Sequence, residues 1–207
     1  MQTVAELPQT SNSPVPLEIE TDAADENAPH VHRWTKAEYY RLNELGFFDN
    51  KRTELIEGEI IEMPTMKSSH ATALALTHDV LRTVFAQGFV VRNQMPLDMG
   101  ENSELVPDVA IVEGKARDFK ESHPQLADLI VEIADTTLRN DRTKKLALYA
   151  AREIPEYWIV NLVHRCVEVY RRPLAASYTE IFVFNEKETV SPLGKPKAKI
   201  AVADLLP

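Results

Sequence analysis

Through the first 32 positions apolar residues follow no period. After that they fall into blocks whose spacing alternates between helical and strand-like. Order begins at Trp34. Thr35 and Glu38 form the pattern of a capping box ahead of Tyr39, Leu42 and Leu45. Trp34 and Tyr39 are spaced for a hydrophobic staple, and Gly46 suits the stop. In the segment 53–63, Glu57-Gly58 divides two short apolar stretches, which predicts either a hairpin or a helix end running into a strand. Over 69–87, Ala73, Leu74, Thr77, Val80, Leu81, Val84 and Phe85 share one face of a helix that Gly88 ends.

The second half of the chain reads mainly as strands. One is predicted over 89–96, a second over 109–112 after Pro107-Asp108, and a third over Leu129–Ala134, with a polar connection at 114–128. The third is apolar on both faces apart from Glu132, the pattern of a central strand covered on both sides. A helix over 139–152 buries Leu146, Tyr149 and Ala150, and Pro155 lies beyond its end. Residues 156–162 form another mostly apolar strand. Those at 167–170 and 180–184 follow as antiparallel neighbours, and the tail at 200–206 packs back on the body. The fold class is α/β, a mixed β-sheet core flanked by α-helices.

Composition sharpens this picture at the N-terminus. Residues 1–32 hold six acids, no Lys or Arg, and Pro8, Pro14, Pro16 and Pro29, so they read as a disordered acidic arm. Residues 33–207 then read as a single domain. Of the net charge of −9, only −3 belongs to that body, which has 26 acids and 23 bases. It lacks the strongly basic signature of a protein that coats nucleic acid. The lone Cys166 excludes an intramolecular disulfide framework and a Cys-rich zinc site. With no apolar run of about 18 residues and no secretory pattern, the expectation is a cytoplasmic protein without a membrane span.

Two acids stand out by their surroundings. Asp108 leads into Val109-Ala110-Ile111-Val112, and Glu132 interrupts Leu129-Ile130-Val131-Glu132-Ile133-Ala134. Read singly, Asp108 is a strand-start acid and Glu132 a charge on an exposed strand face. A carboxylate in a doubly covered strand is costly unless it is paired or bound to a metal. Taken together on neighbouring strands, the two acids point to a hard-cation site of the kind Mg²⁺ occupies.

An Asp and a Glu on neighbouring strands, with a Lys nearby, resemble the working part of the PD-(D/E)XK nucleases. Four runs narrow the resemblance. They are Glu54-Leu55-Ile56-Glu57-Gly58-Glu59-Ile60, Pro107-Asp108-Val109-Ala110-Ile111-Val112, Asp141-Arg142-Thr143-Lys144-Lys145-Leu146-Ala147-Leu148-Tyr149-Ala150 and Ile154-Pro155-Glu156-Tyr157-Trp158-Ile159-Val160. In this order and spacing, over about 33–207, they are similar to the Uma-two family of restriction-endonuclease-like proteins.

The resemblance implies a restriction-endonuclease-like fold and metal-dependent hydrolysis of phosphodiester bonds in nucleic acid, DNA in particular. Mg²⁺ is the implied cofactor, with Mn²⁺ the substitute. It also implies roles. Asp108 and Glu132 bind the metal, joined by the Ile133 carbonyl, and Glu54, from the first helical region, completes the shell. The Lys expected at position 134 is replaced by Ala134, and Lys145 arrives from the following helix; Lys144 points about 100° away from it. His70, at the start of the long helix, stands near a His of the family, and Gln94 lies on the strand before Asp108, within reach of the site. A homodimer belongs to the same expectation. The competing reading is a nuclease fold with little turnover that binds nucleic acid or regulates, since the basic residues are scattered. In a third, partner-binding reading, the acidic arm is a docking tail.

Overall fold

The structure, a computed structural model, describes residues 29–207. The arm expected over 1–32 lies outside the described residues except for its last four positions. The unit described below spans His32–Pro207.

Helix α1 (Lys36–Glu44) starts on the predicted capping box: Thr35 accepts from the Glu38 N–H, and the Glu38 carboxylate accepts from the Thr35 N–H. The segment that follows resolves the open choice in favour of a hairpin, β1 (Thr53–Ile56) and β2 (Glu59–Glu62), turned through Glu57 and Gly58 at positive φ. Helix α2 (Ser68–Val84) buries Ala73, Leu74, Thr77 and Leu81. Strand β3 (Phe89–Asn93) is shorter than its apolar pattern predicts, because Gln94 turns the chain at φ 49°. Two short strands escape the sequence reading: β4 (Leu97–Asp98) and β5 (Glu104–Leu105) extend β1 and β2 into a four-stranded sheet of order β2-β1-β5-β4.

The main sheet has six strands. It is completed by β6 (Val109–Glu113), β7 (Leu129–Ala134), β8 (Glu156–Asn161), β9 (Cys166–Leu174) and β10 (Ser177–Asn185), in the order β10-β9-β8-β7-β6-β3. The hairpin β9–β10 runs several residues further than its apolar stretches. The only parallel pair among these six strands is β7 with β8. Parallel neighbours need a crossover connection, and residues 135–155 supply it. The helix predicted there over 139–152 comes in three pieces: α3 (Leu138–Asn140), a π-helical turn (Asp141–Lys145) and α4 (Leu146–Ala151). In the π turn the Leu146 N–H reaches back to the Asp141 carbonyl, an insertion that regular apolar spacing does not reveal. Such turns recur at functional sites.

Strand alternation divides the core in two. Val109, Ile111, Leu129, Val131, Ile133, Trp158 and Val160 pack on the α2 side, where Val202, Leu205 and Leu206 of the tail also lie. Ala110, Val112, Ile130, Ala134, Tyr157 and Ile159 pack on the other side, against Tyr149 and Ala150 of α4. Full burial of the Val, Ile and Leu side chains among them contributes about 1.5–3 kcal/mol each, so these strands are a firm base. Among the described residues no helix is long and apolar enough to cross a membrane.

Candidate active site

The alternation that fills the core also carries its charges. Glu132 follows Ile130 and precedes Ala134 on the face that α4 covers. In the antiparallel pair β6/β7, Val109 stands opposite Val131, and continuing the register sets position 108 opposite 132. The two acids singled out in the sequence are therefore cross-strand neighbours. Asp108, Glu132, Glu54 and Lys145 are all buried, with Lys145 only 2% exposed.

Lys145 joins two of the acids. Its Nζ is 3.0 Å from Glu132 Oε1 and 3.3 Å from Glu54 Oε1. Glu54 sits on strand β1 rather than in the helical region the resemblance implied. Lys144, one position away, lies on the surface 2.9 Å from Glu59. Ala134 is buried and leaves the Glu132 face without a second long side chain.

Asp108 is held separately. Its Oδ1 accepts from Gln94 Nε2 at 2.9 Å and faces His70 Nε2 at 3.1 Å, and its Oδ2 accepts from the Ile133 N–H at 2.9 Å. The structure thus brings together Glu54, Asp108, Glu132, Lys145 and His70. All five line one cavity of about 50 Å³, with Arg52, Lys67 and Asp141 also on its wall. A water needs about 10–15 Å³ measured this way, so the cavity has room for an ion with a few waters.

Sequence reasoning gave no part to Asp141 or Tyr149. Asp141 is buried on the π turn, where Thr137 Oγ1 donates to its Oδ2 at 2.6 Å. The Tyr149 hydroxyl donates to Glu132 Oε1 at 2.7 Å. The signal was present as spacing: 141, 145 and 149 are four apart, a single face of a helix. Arg142 points away from the cavity and clamps the π turn to β9 through two bonds to Glu168, at 2.9 and 2.7 Å.

Burial acts differently on the acids and the ammonium gathered here. Burial pushes Glu132 up to about 8; Lys145 opposes this, while Asp108, Asp141 and Glu54 add to it. Burial likewise pushes Asp141 up to about 6 against the pull of Lys145. Burial disfavours the Lys145 charge, yet Glu132, Glu54 and Asp141 overcome it and hold the ammonium far above its usual range. Asp108 goes the other way. His70, Gln94 and the Ile133 N–H outweigh its burial and keep it ionised. Burial, with Glu132 alongside, keeps the Tyr149 phenol protonated and therefore a donor.

Over residues 37–203 the sequence matches the model of the Uma2 family, described as "Putative restriction endonuclease". The chain belongs to the Uma2 family. It is also similar to a crystal structure described as a "putative nuclease belonging to DUF820" from Anabaena variabilis. The two are 19% identical, with a TM-score of 0.62 over 83% of this chain and 97% of that one. That likeness shows a shared fold. No curated protein matches the chain.

Membership of Uma2 places the chain in a class whose fold is associated with metal-dependent nucleases. Among the described residues no three His, Cys, Asp or Glu side chains form a ready-made metal cluster. The donor set nonetheless suits a hard cation. Glu54 Oε2 is buried with no hydrogen-bond partner, and no hydrogen bond to Glu132 Oε2 is present among the described residues, while Oε1 takes both Lys145 and Tyr149. Mg²⁺ commonly takes one or two carboxylates and fills its shell with waters and substrate phosphate, so a complete protein cage is not required.

Proposed function

We propose that this Uma2 chain is a divalent-cation-dependent endonuclease that hydrolyses phosphodiester bonds in nucleic acid, DNA foremost. One observation carries the reading: Glu54, Asp108 and Glu132 meet Lys145 around one small cavity, with acceptor oxygens left over. A charged cluster of this kind is costly to bury, and acids perturbed in this way in a cleft mark a candidate functional site.

Asp108 and Glu132 would hold Mg²⁺ or Mn²⁺, with Glu54 as a third oxygen donor. When bound, the cation lowers the pKa of its water and polarises the phosphate. Lys145 stays charged and supplies positive charge where the phosphate accumulates negative charge. Tyr149 fixes the rotation of the Glu132 carboxylate, and His70 steadies Asp108. Arg52 and Lys67, on the cavity wall, are the cations placed to meet a phosphate backbone.

Calorimetric titration with Mg²⁺ and Mn²⁺, beside cleavage assays on DNA and RNA, tests the reading. Wild type should bind a cation and cleave, and Glu132→Gln should lose both. Nucleic-acid binding that needs no cation and leads to no cleavage would favour the non-catalytic binding module instead. Wild-type cleavage by Glu132→Gln or Asp108→Ala would refute the assignment of these acids.

A further inference from the structure

Gln94 has a backbone that a glutamine rarely adopts. Its φ of 49° lies in the left-handed region, where side chains other than Gly, Asn and Asp are disfavoured. Its own N–H donates to the Asp108 carbonyl at 3.0 Å, and its carboxamide donates to Oδ1 of the same residue at 2.9 Å. The residues just before it are also poorly satisfied. Asn93 Oδ1 and Arg92 Nε are buried without a hydrogen-bond partner. The end of β3 is therefore a place where three consecutive residues forgo local stability. Strain of this sort persists at functional sites, where the surroundings over-determine it.

The bonds on Asp108 indicate what the strain achieves. An ionised carboxylate only accepts hydrogen bonds, and Gln94 with His70 occupies both lone pairs of Oδ1. Oδ2 takes a single N–H, from Ile133. One lone pair of Asp108 is thus left open.

We infer that Gln94 is a positioning residue: its left-handed backbone delivers the carboxamide that saturates Asp108 Oδ1 and so directs an incoming divalent cation to Oδ2. This rests on the cation-binding reading above. Partners behind a ligand typically change metal affinity about 10–100-fold when removed.

The test compares Gln94→Ala with Gln94→Gly. Both lose the carboxamide, but only glycine is at ease at positive φ. Mn²⁺ affinity is read by calorimetry and stability by metal-free thermal melts. Both variants should lose about 10–100-fold in Mn²⁺ affinity, while Gln94→Gly melts about 2–4 °C above Gln94→Ala. The gain in stability without recovery of binding separates positioning from mere folding support. Wild-type Mn²⁺ affinity in both variants overturns the role of Gln94, as does affinity restored by glycine. Equal melting of the two removes the strain on which the assignment stands. If wild type itself takes up no Mn²⁺, the cation-binding reading falls and this inference with it.

Discussion

Replacing Lys145 by Met removes the positive charge between Glu54 and Glu132 and keeps most of the volume. In the metal-free protein the acids then face one another beside the cavity that Lys145 lines, at a position only 2% exposed to solvent. Breaking a buried charge pair from one side costs about 3–5 kcal/mol. For a domain of this size that is a fall of about 6–20 °C in melting temperature, at about 2–4 °C per kcal/mol. The loss should depend on pH. Without the ammonium, Glu132 and Asp141 hold protons still more strongly in the folded state than in the unfolded chain, so acid stabilises the variant. The deficit should be largest at pH 8 and shrink towards pH 5. Millimolar Mg²⁺ should recover part of it at pH 8, since a cation neutralises the same acids. Melts by circular dichroism at both pH values, with Mg²⁺ and with EDTA, read all of these effects. A Lys145→Met protein that melts within about 2 °C of wild type at pH 8 in EDTA would refute the reasoning, because the acids would then need no counter-charge.

In the wild type, Glu132 is raised from 4.5 to about 8, so the folded state binds more protons than the unfolded chain between those values. Its contribution to stability is therefore complete below about 4.5 and lost as pH rises through 8, and a set of denaturant melts across pH 5–9 should show it. Cation binding in that range should release a proton, detectable by calorimetry in buffers of different ionisation enthalpy. Tyr149→Phe deletes one hydroxyl and should cost about 0.5–1.5 kcal/mol at about pH 6, where Glu132 holds its proton, and about 1.5–3 kcal/mol at about pH 9, where the acceptor is charged; a neutral effect in urea melts at both would show that Glu132 does not use it. Arg52→Ala should lower the salt dependence of DNA binding by about one phosphate contact, measured by fluorescence anisotropy with Ca²⁺ in place of Mg²⁺. An unchanged slope would remove Arg52 from the interface.

Much of this architecture was legible because the features involved are local. The capping box at Thr35, the face of α2 and the doubly apolar strand around Glu132 each announce themselves within a few residues. Lys145 was legible for a different reason: Ala134 left a gap in the family pattern, and the motif ahead of Tyr149 offered a lysine to fill it. The unread parts depend on distant partners. Strands of two residues such as β4 and β5 exist only because β5 pairs with β1 and β4 with β5. Glu54 was expected from a helical region only because the resemblance implied it; its own run of acids and apolar residues left a hairpin or a helix end open, and pairing with β2 decides. Asp141 passed as one more charge on a polar helix face, since the π turn that buries it leaves no mark in apolar spacing. Tyr149 was read as core, which it is; that its hydroxyl reaches an acid required the neighbouring strand. Gln94 was noted only as lying near, and its strained backbone is invisible in sequence.

Lys145 has one partner close by in the chain and one far away. Glu132 is 13 positions distant and belongs to the six-stranded sheet; Glu54 is 91 positions distant and belongs to the four-stranded one. The same ammonium therefore fastens two sheets that share no strand. Whatever enters the cavity and competes for these acids also acts on the seam between the sheets, and by linkage the seam acts on its affinity. Amide hydrogen exchange in β1 and β2 should accordingly slow or quicken with occupancy of the cavity, while the central amides of β7 and β8 keep the pace of global unfolding. The small sheet would act as a reporter of the site, because one of the contacts that tie it to the main sheet, alongside the packing of Ile56, Leu97 and Leu105, is the one the site uses.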